Sequence, residues 1–255
     1  MQLIRSVSFE NNRGQRLRGY VHEPRRYKTA VIILHGFPGH CDGSVSLQLA
    51  SALAKKKCVT LRFNFSGSDT SEGNFEDKLM SQEVKEIKSA IDLMAENYPF
   101  RQLILIGHST GAIDAALYAH TDKRIDKVVL LGAVSKLDEA VHYDFKDRQV
   151  HDFWKKGHIV YNRLGKWVHQ RKLRKTFYDE FFTLDIPTAI KKYKKPLLLV
   201  HGECDEAVPM KEAEELLEIA HKPKKLVIIR GADHSFTKPE HFLKLIKVVH
   251  WFIKE

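Results

Sequence analysis

Near the middle of the chain lies the stretch Leu103-Ile104-Leu105-Ile106-Gly107-His108-Ser109-Thr110-Gly111, and this stretch decides the fold. Its first four residues are an apolar run that predicts a buried strand, and residues 112–120 predict a helix. Between them stands the pattern Gly-x-Ser-x-Gly, with Ser109 at its centre. A strand, this pattern and a helix in that order predict the sharp turn called a nucleophile elbow, and an ordinary turn between strand and helix is the alternative.

The residue types of this turn fit the chemistry of a nucleophile. Ser109 must sit on a sharp turn so that its hydroxyl stands clear of the sheet, and Gly107 and Gly111 leave room where strand and helix nearly touch. The helix points its N-terminus at the hydroxyl, where its dipole and free N–H groups favour an oxyanion. The turn therefore predicts Ser109 as a catalytic nucleophile.

Apolar runs alternate with amphipathic segments on both sides of this turn. The chain opens with two runs that predict an antiparallel hairpin, over residues 3–9 and 17–22. Buried strands are then predicted over residues 30–34, 59–65, 103–106, 127–133, 196–200 and 225–229, and helices over residues 43–56, 78–97, 112–120, 210–220 and 239–254. This alternation predicts an α/β fold with a mostly parallel central sheet and helices on both faces.

One segment, residues 135–193, breaks the alternation because it contains no run typical of a buried strand. It is too long for a simple connection inside a compact sheet. We therefore predict an inserted helical cap over residues 135–193 and a core domain formed by residues 1–134 and 194–255. The many aromatic side chains of the segment either line a substrate pocket or form a small core of the cap itself.

The composition indicates a globular protein with a sizeable core, since 43% of its 255 residues are hydrophobic and 29% are charged. No apolar run approaches the roughly 18 residues of a membrane helix, and the N-terminus lacks the basic and apolar regions of a signal peptide. Three cysteines are too few, and too odd in number, for a disulfide framework. We therefore expect a cytoplasmic, reducing location and no membrane span.

Most of the net charge of +10 lies in one region of the chain. Between Lys136 and Lys195 there are 15 lysine or arginine residues and 8 aspartate or glutamate residues, a local excess of +7. Such a surface either attracts an anionic substrate, a nucleic acid or an acidic partner, or is a solvated lysine-rich face. Because no nucleic-acid-binding signature is present, we expect the solvated face and no nucleic-acid partner.

The remaining candidate catalytic residues follow the ends of predicted strands, where sites collect in a parallel sheet. A serine hydroxyl needs a base, which histidine supplies near neutral pH, and the imidazole needs a carboxylate to orient it. Asp205 and His234 each follow a buried strand and complete the chain order Ser109, Asp205, His234. We predict that these three residues form a catalytic triad.

Neighbouring residues offer alternatives for the acid and the base. The carboxylates Glu203, Glu206 and Asp233 compete with the predicted acid. Two other histidines are weaker candidates for the base. His108 flanks the nucleophile, so its side chain should point elsewhere, and His35 should brace loops by hydrogen bonds.

An oxyanion hole requires preorganised hydrogen-bond donors. The backbone N–H of Thr110, directly after the nucleophile, is predicted to be one donor, and the N–H of Phe37, in the loop after the strand at residues 30–34, the other. Gly36 lets this loop approach closely, whereas Pro38 has no N–H to donate. A plain turn in this loop is the alternative.

Together these pieces resemble the α/β-hydrolase superfamily along essentially the whole chain. The matching motifs are His35-Gly36-Phe37, Gly107-His108-Ser109-Thr110-Gly111, Gly202-Glu203-Cys204-Asp205 with Val208-Pro209, and Gly231-Ala232-Asp233-His234. The resemblance implies that Ser109, Asp205 and His234 act as nucleophile, acid and base, and that Phe37 and Thr110 donate to the oxyanion.

Within the superfamily, one region resembles the bacterial cinnamoyl or feruloyl esterases and related carboxylesterases. It comprises Arg62-Phe63-Asn64-Phe65-Ser66-Gly67-Ser68 and Ser71-Glu72-Gly73-Asn74-Phe75. Those enzymes have aspartate at the position of Asn64 and frequently glutamine at the position of Thr110. In the stretch that corresponds to Ser68-Asp69-Thr70 they usually have a glycine and an aspartate. The resemblance implies a serine esterase for short-chain or aromatic acyl esters, feruloyl and cinnamoyl esters included, and often a homodimer.

We therefore expect a carboxylic-ester hydrolase that acts on small-molecule esters through an acyl-enzyme. Monoacylglycerol lipase, thioesterase and serine aminopeptidase share the fold and triad, and a non-catalytic ligand binder is an alternative of another class. Ser109 argues against epoxide hydrolases and haloalkane dehalogenases, which need a carboxylate nucleophile. Without metal-ligand spacing or a dinucleotide fingerprint, we expect no metal and no other cofactor. The basic residues of the cap would favour an acid-bearing substrate.

Overall fold

An eight-stranded mixed sheet runs through the protein, whose computed structural model describes residues 2–255. Its strands are β1 (Gln2–Glu10), β2 (Arg16–Pro24), β3 (Thr29–Leu34), β4 (Cys58–Asn64), β5 (Gln102–His108), β6 (Lys127–Leu131), β9 (Leu197–Gly202) and β10 (Lys224–Ile229), with a separate pair β7 (His158–Tyr161) and β8 (Arg171–Arg174). The α-helices are α1 (Ser44–Lys55), α2 (Met80–Asn97), α3 (Thr110–Tyr118), α4 (Leu137–Asp144), α5 (Asp147–Lys156), α6 (Lys175–Asp179), α7 (Ile186–Lys192), α8 (Met210–Ile219) and α9 (Pro239–Lys254).

The strands lie in the order β1-β2-β4-β3-β5-β6-β9-β10. The predicted hairpin of β1 and β2 is antiparallel, and β2 also pairs with β4 in antiparallel orientation. From β4 to β10 every neighbouring pair is parallel. This arrangement confirms the predicted α/β fold with a mostly parallel sheet, and it brings the carboxyl ends of β3, β5, β6, β9 and β10 to one edge.

The continuous apolar runs of the inner strands bury side chains on both faces of the sheet. Successive residues point to opposite faces, so Ile32 and Leu34 belong to the core that includes α2, α3, α7 and α8, whereas Val31 and Ile33 belong to the core that includes α1 and α9. These six helices therefore cover the two faces of the sheet with their apolar sides. None of the helices between residues 2 and 255 combines the length and the apolar character that crossing a membrane requires.

The segment from residue 135 to residue 193 lies between β6 and β9 and is not wholly helical. Besides helices it contains the antiparallel pair β7 and β8, in which His158 faces Arg174. The sequence did not indicate these strands, because β8 buries only Leu173 of its four residues and thus has no apolar run. Within the segment, the rings of Phe145, Phe153 and Phe181 contact one another or their aromatic neighbours and form a local core.

Candidate active site

Ser109 occupies a strained turn between β5 and α3. Its backbone has φ 56° and ψ −125°, a combination that is rare for a residue with a side chain. The N–H of Ser109 donates to the carbonyl of Leu131 at the end of β6, with a nitrogen–oxygen distance of 2.9 Å. A Cβ at Gly107 would lie 2.1 Å from the carbonyl oxygen of Gly111, so strand and helix are as close here as the sequence predicted. The turn has the geometry of a nucleophile elbow.

The imidazole of His234 is hydrogen-bonded to a carboxylate and lines the same cavity as Ser109. Its Nδ1 lies 2.8 Å from Oδ2 of Asp205. Because a carboxylate only accepts, Nδ1 carries the hydrogen and Nε2 remains free to act as a base. Ser109 and His234 line the same cavity, and the three predicted residues therefore meet at one edge of the sheet.

The carboxylate of Asp205 is buried, with 2% of its side chain exposed. Burial alone would raise the pKa of Asp205, but the hydrogen bond and charge of His234 and the N–H groups of Val208 and Ala207 outweigh it and lower that pKa. These two N–H groups donate to Oδ1 at 2.8 and 2.9 Å. Asp205 is thus ionised at neutral pH, and each of its oxygens has a fixed partner.

The competing carboxylates are directed to backbone groups instead of the imidazole. Glu203 accepts from the N–H of Gly231 at 2.8 Å, and Asp233 accepts from the N–H of Thr237 at 2.8 Å. Glu206 lies 3.5 Å from the backbone nitrogen of His234. The acid nearest to Nδ1 of His234 is therefore the predicted one.

Two buried histidines hold the loops of this site, and their role was not predicted from the sequence. Burial lowers the pKa of His108 to about 4, so the ring is neutral, and its Nε2–H donates to the carbonyl of His234 at 3.0 Å. Nε2 of His201 lies 2.8 Å from the carbonyl oxygen of Val208 and 3.4 Å from Oδ2 of Asp205. A sequence pattern does not reveal which carbonyl a ring nitrogen contacts, so neither hydrogen bond could be predicted.

The loop after β3 is held by its first residue, as expected for His35. Burial and the nearby charge of Lys78 lower the pKa of His35 to about 3, so its ring is neutral. Its Nε2 accepts from the N–H of Phe65 at 3.4 Å, and its Nδ1–H then donates to the carbonyl of Gly36 at 2.9 Å. A Cβ at Gly36 would lie 2.8 Å from Cβ of Ser109, so this loop approaches the nucleophile closely.

The ring of Phe37 connects this loop to the 135–193 segment. It stacks on Phe177 with ring centres 4.5 Å apart and on Phe75 with ring centres 5.7 Å apart. The edge of Tyr161 also faces it, at 6.0 Å between ring centres. The backbone of Phe37 is therefore fixed by aromatic contacts from two parts of the chain.

A cavity of about 250 Å³ opens at this edge of the sheet. Its wall includes Ser109, His234, Phe37 and His40, and Arg163 enters it from the loop between β7 and β8. None of the aromatic residues of the 135–193 segment lines this cavity, although Tyr161 and Phe177 pack on Phe37 of its wall. Within the part of the chain that the structure describes, no acidic side chain belongs to the cavity wall.

One group of side chains between residues 2 and 255 could offer ligands to a metal ion. His40, Asp42 and Asp69 each place one ligand atom within 4.8 Å of the others, and His40 belongs to the cavity wall. Their separation along the sequence had not indicated a group. Asp42 is already paired with the buried guanidinium of Arg62, which also donates to the carbonyl of Cys41 at 3.1 Å. The negative charge of Asp42 is therefore balanced by Arg62.

Comparison with known proteins identifies the family of this chain. The family described as serine aminopeptidase, S33, matches residues 25–180, which is more than half of the chain. The chain belongs to this family of α/β-hydrolases. The resemblance that the sequence motifs carried is thereby confirmed at the level of the superfamily.

Curated relatives of this α/β-hydrolase include proteins from several bacteria. Uncharacterized protein YqkD of Bacillus subtilis is 27% identical over 239 residues, which cover 89% of this chain and 72% of the relative. The bifunctional esterase/perhydrolase DCH of Acinetobacter calcoaceticus is 28% identical over 173 residues, which cover 53% of this chain and 61% of the relative.

Solved structures of esterases have the same fold. Est1E of Butyrivibrio proteoclasticus, solved with bound ferulic acid, superposes with a TM-score of 0.81 at 25% identity, over 97% of this chain and 98% of its own. The Pyrococcus furiosus esterase Pf2001 superposes with a TM-score of 0.76 at 21% identity, over 99% of this chain and 92% of its own. The second similarity concerns the fold alone.

Proposed function

We propose that this α/β-hydrolase is a serine esterase that cleaves carboxylic esters of small molecules through an acyl-enzyme. The observation that carries the proposal is the meeting of Ser109, on its strained turn, with the bonded pair of His234 and Asp205 at one cavity. A pure ligand binder has no need for a buried carboxylate that orients a histidine beside a serine.

In the proposed reaction, Nε2 of His234 takes the proton of Ser109 while the serine oxygen attacks the ester carbonyl. Asp205 stabilises the imidazolium that forms and holds its orientation. The imidazolium then protonates the leaving alcohol, and an acyl group remains on Ser109. Water activated by His234 attacks this acyl-enzyme, releases the acid and restores the serine.

The oxyanion of both tetrahedral intermediates would accept from the N–H groups of Thr110 and Phe37. Thr110 is the first residue of α3, and the first N–H groups of a helix have no partner within it. Phe37 lines the cavity on a loop that the ring of His35 and aromatic stacking hold in place. Preorganised donors of this kind contribute about 10²- to 10³-fold in rate each.

The size of the cavity and the relatives support the proposed substrate class. A cavity of about 250 Å³ suits a short acyl group. Est1E, solved with ferulic acid, and the esterase DCH support an ester substrate and make feruloyl esters the aromatic class to test. We further propose that the 135–193 segment acts as a cap, because Arg163 enters the cavity and Tyr161 packs on Phe37.

A second candidate function is aminopeptidase activity, which the description of the matching family favours. An aminopeptidase must bind the free amino group of its substrate, and a carboxylate is the ordinary partner of such a cation. The cavity wall has none within residues 2–255. Ester hydrolysis is therefore the function that the site supports best.

The test is hydrolysis of p-nitrophenyl esters of rising acyl length and of methyl ferulate, with amino-acid p-nitroanilides for the second candidate. The wild-type protein is compared with Ser109→Ala, in which we expect kcat to fall by a factor on the order of 10⁴ or more. Ser235→Ala, which changes another serine of the cavity wall, is the control and should retain most of the activity. Equal rates for folded wild type and Ser109→Ala would exclude the proposed function.

A further inference from the structure

The described residues of the cavity wall include a positively charged side chain and no negatively charged one. Among residues 2–255, Arg163 is the only lysine or arginine in that wall, and the wall contains no aspartate or glutamate. The histidines His35 and His108 also line the cavity, but burial lowers their pKa values to about 3 and 4, so both rings are neutral. The permanent charge that faces a bound substrate from the wall is therefore the guanidinium of Arg163.

Among residues 2–255, no carboxylate lies within 4 Å of this guanidinium, whereas other cations of the segment are paired. Arg174 pairs with Glu76 at 2.8 Å and with Asp77 at 2.7 Å. Arg163 instead lies with its guanidinium carbon 5.7 Å from the ring centre of Tyr161. In the part of the chain that the structure describes, its hydrogen-bond donors remain available for a ligand.

We propose that Arg163 binds a carboxylate of the substrate, so that this enzyme prefers esters carrying a second, ionised acid group. The planar fork of a guanidinium matches a carboxylate with two parallel hydrogen bonds, a geometry that neutral esters cannot use. The inference rests on the proposed function, since the cavity is that of Ser109. It gives one basic residue of the segment a defined role and leaves the others as solvated surface.

Carboxylates outside the wall act against this preference: Asp42 and Asp69 lie beside His40, and Asp42 is paired with Arg62. Asp144, the last residue of α4, also lies close enough to His234 and Tyr161 to interact with them electrostatically. Asp144 is exposed to water. It is therefore mostly ionised at neutral pH and should weaken, without abolishing, the attraction of an anionic substrate.

The experiment uses two matched pairs of esters, each with one neutral and one anionic member. p-Nitrophenyl hexanoate and mono-p-nitrophenyl adipate place the charge on the acyl side. The methyl ester of 4-butyryloxybenzoic acid and the free acid place it on the alcohol side. For each pair the ratio of kcat/KM, anionic over neutral, is measured at pH 8 and at low salt for every variant.

We expect a ratio well above one for at least one pair in the wild type, and a fall of about tenfold or more in that ratio in Arg163→Gln. Arg163→Lys should retain part of the preference, because it keeps the charge and loses the fork. Arg148→Gln, which removes an arginine of α5 that does not line the cavity, should leave the ratio unchanged. Asp144→Asn should raise the ratio.

The outcomes separate this inference from the proposed function. If the wild type hydrolyses the neutral esters and Arg163→Gln leaves both ratios unchanged, the inference about Arg163 is wrong and the esterase function stands. A fall of the ratio in Asp144→Asn would also overturn the charge argument. If the folded wild type hydrolyses none of the four esters, the esterase function itself fails.

Discussion

At the scale of single residues, the two oxygens of Asp205 have different tasks. Oδ1 accepts from the backbone N–H groups of Ala207 and Val208, and Oδ2 accepts from Nδ1 of His234. The backbone donors can be satisfied only by an oxygen. They therefore determine which atom of any residue at this position faces the imidazole.

We predict that Asp205→Asn lowers kcat on p-nitrophenyl esters by about 10³-fold or more while the protein stays folded. The amide oxygen of the new side chain takes the place of Oδ1, so its NH₂ group faces Nδ1 of His234. A donor there forces Nδ1 to accept, and the hydrogen moves to Nε2. The imidazole can then no longer take the proton of Ser109.

Glu203→Gln is the matched control, because Glu203 lies in the same turn and accepts from the N–H of Gly231. A glutamine oxygen can replace that bond, and kcat should change by less than about threefold. Comparable losses in the two variants would show that the turn as a whole, and not the oxygen facing His234, is required.

At the scale of elements, the loop after β3 depends on aromatic packing with the 135–193 segment. Phe177, in α6, is fully buried and stacks on Phe37. Phe153, in α5, is equally buried, but its ring contacts Phe145 and Tyr178 instead. The segment therefore offers two phenylalanines with similar burial and different relations to the proposed oxyanion donor.

We predict that Phe177→Ala lowers kcat about tenfold, because the ring of Phe37 loses the nearer of its two stacked partners and the N–H of Phe37 is less firmly placed. The same change costs about 3–5 kcal/mol of stability through the cavity it leaves. Activity is measured at 15 °C on protein shown to be folded by circular dichroism.

Phe153→Ala should cost similar stability and leave kcat of the folded enzyme near that of the wild type. A loss of kcat that is equal in both variants would mean that general loosening of the segment, and not the contact with Phe37, lowers the rate.

The elements of this chain differ in how well the sequence predicted them. The runs that became β3, β5 and β6 are buried on both faces, so their composition alone indicated strands in a parallel sheet. The turn at Ser109 could be predicted because strand and helix are too close there for any side chain, so the turn requires glycine at positions 107 and 111. β8 has one buried residue, and its pairing with β7 arises from tertiary packing that no local pattern records.

The residues of the candidate site also differ in how well the sequence predicted them. Ser109, Asp205 and His234 follow strand ends in an order that can be read along the chain. The hydrogen bond from His108 to the carbonyl of His234 joins residues 126 positions apart, and Arg163 reaches the cavity only through the loop between β7 and β8. Such contacts depend on the whole fold, so the sequence indicates the residue types and not their partners.

At the scale of the whole molecule, a buried polar network joins four parts of the chain under the site. Lys78 forms an ion pair with Glu83 of α2 and donates to Ser68 at 2.8 Å. Glu86, one turn further along α2, accepts from Asn11 of the first hairpin at 2.8 Å and from the N–H of Ser66 at 2.9 Å.

Asp114 of α3 completes this network and lies wholly buried beside Glu83. No N–H or O–H group of residues 2–255 donates to either of its carboxyl oxygens. Burial and the neighbouring charge of Glu83 raise the pKa of Asp114 well above its usual range. Asp114 is therefore protonated in the folded protein and directs its hydrogen to Glu83.

The raised pKa of Asp114 makes the free energy of unfolding depend on pH. Above its ordinary pKa near 4, Asp114 loses its proton in the unfolded chain but keeps it in the fold. The unfolded state then binds fewer protons, so the free energy of unfolding falls as pH rises from about 4 through the raised pKa of the folded state. The contribution of Asp114 is thus complete only at acid pH.

We predict that Asp114→Asn stabilises the protein at pH 8 by on the order of 1 kcal/mol, or a few degrees in Tm, and by less at pH 4.5. An asparagine can donate to Glu83 as the protonated acid does, and it has no charge to lose. Thermal unfolding from pH 4.5 to 8.5 measures the difference between variant and wild type. Glu214→Gln, an exposed carboxylate of α8, is the control and should show no such trend. A difference that does not grow with pH would show that Asp114 is ionised in the fold.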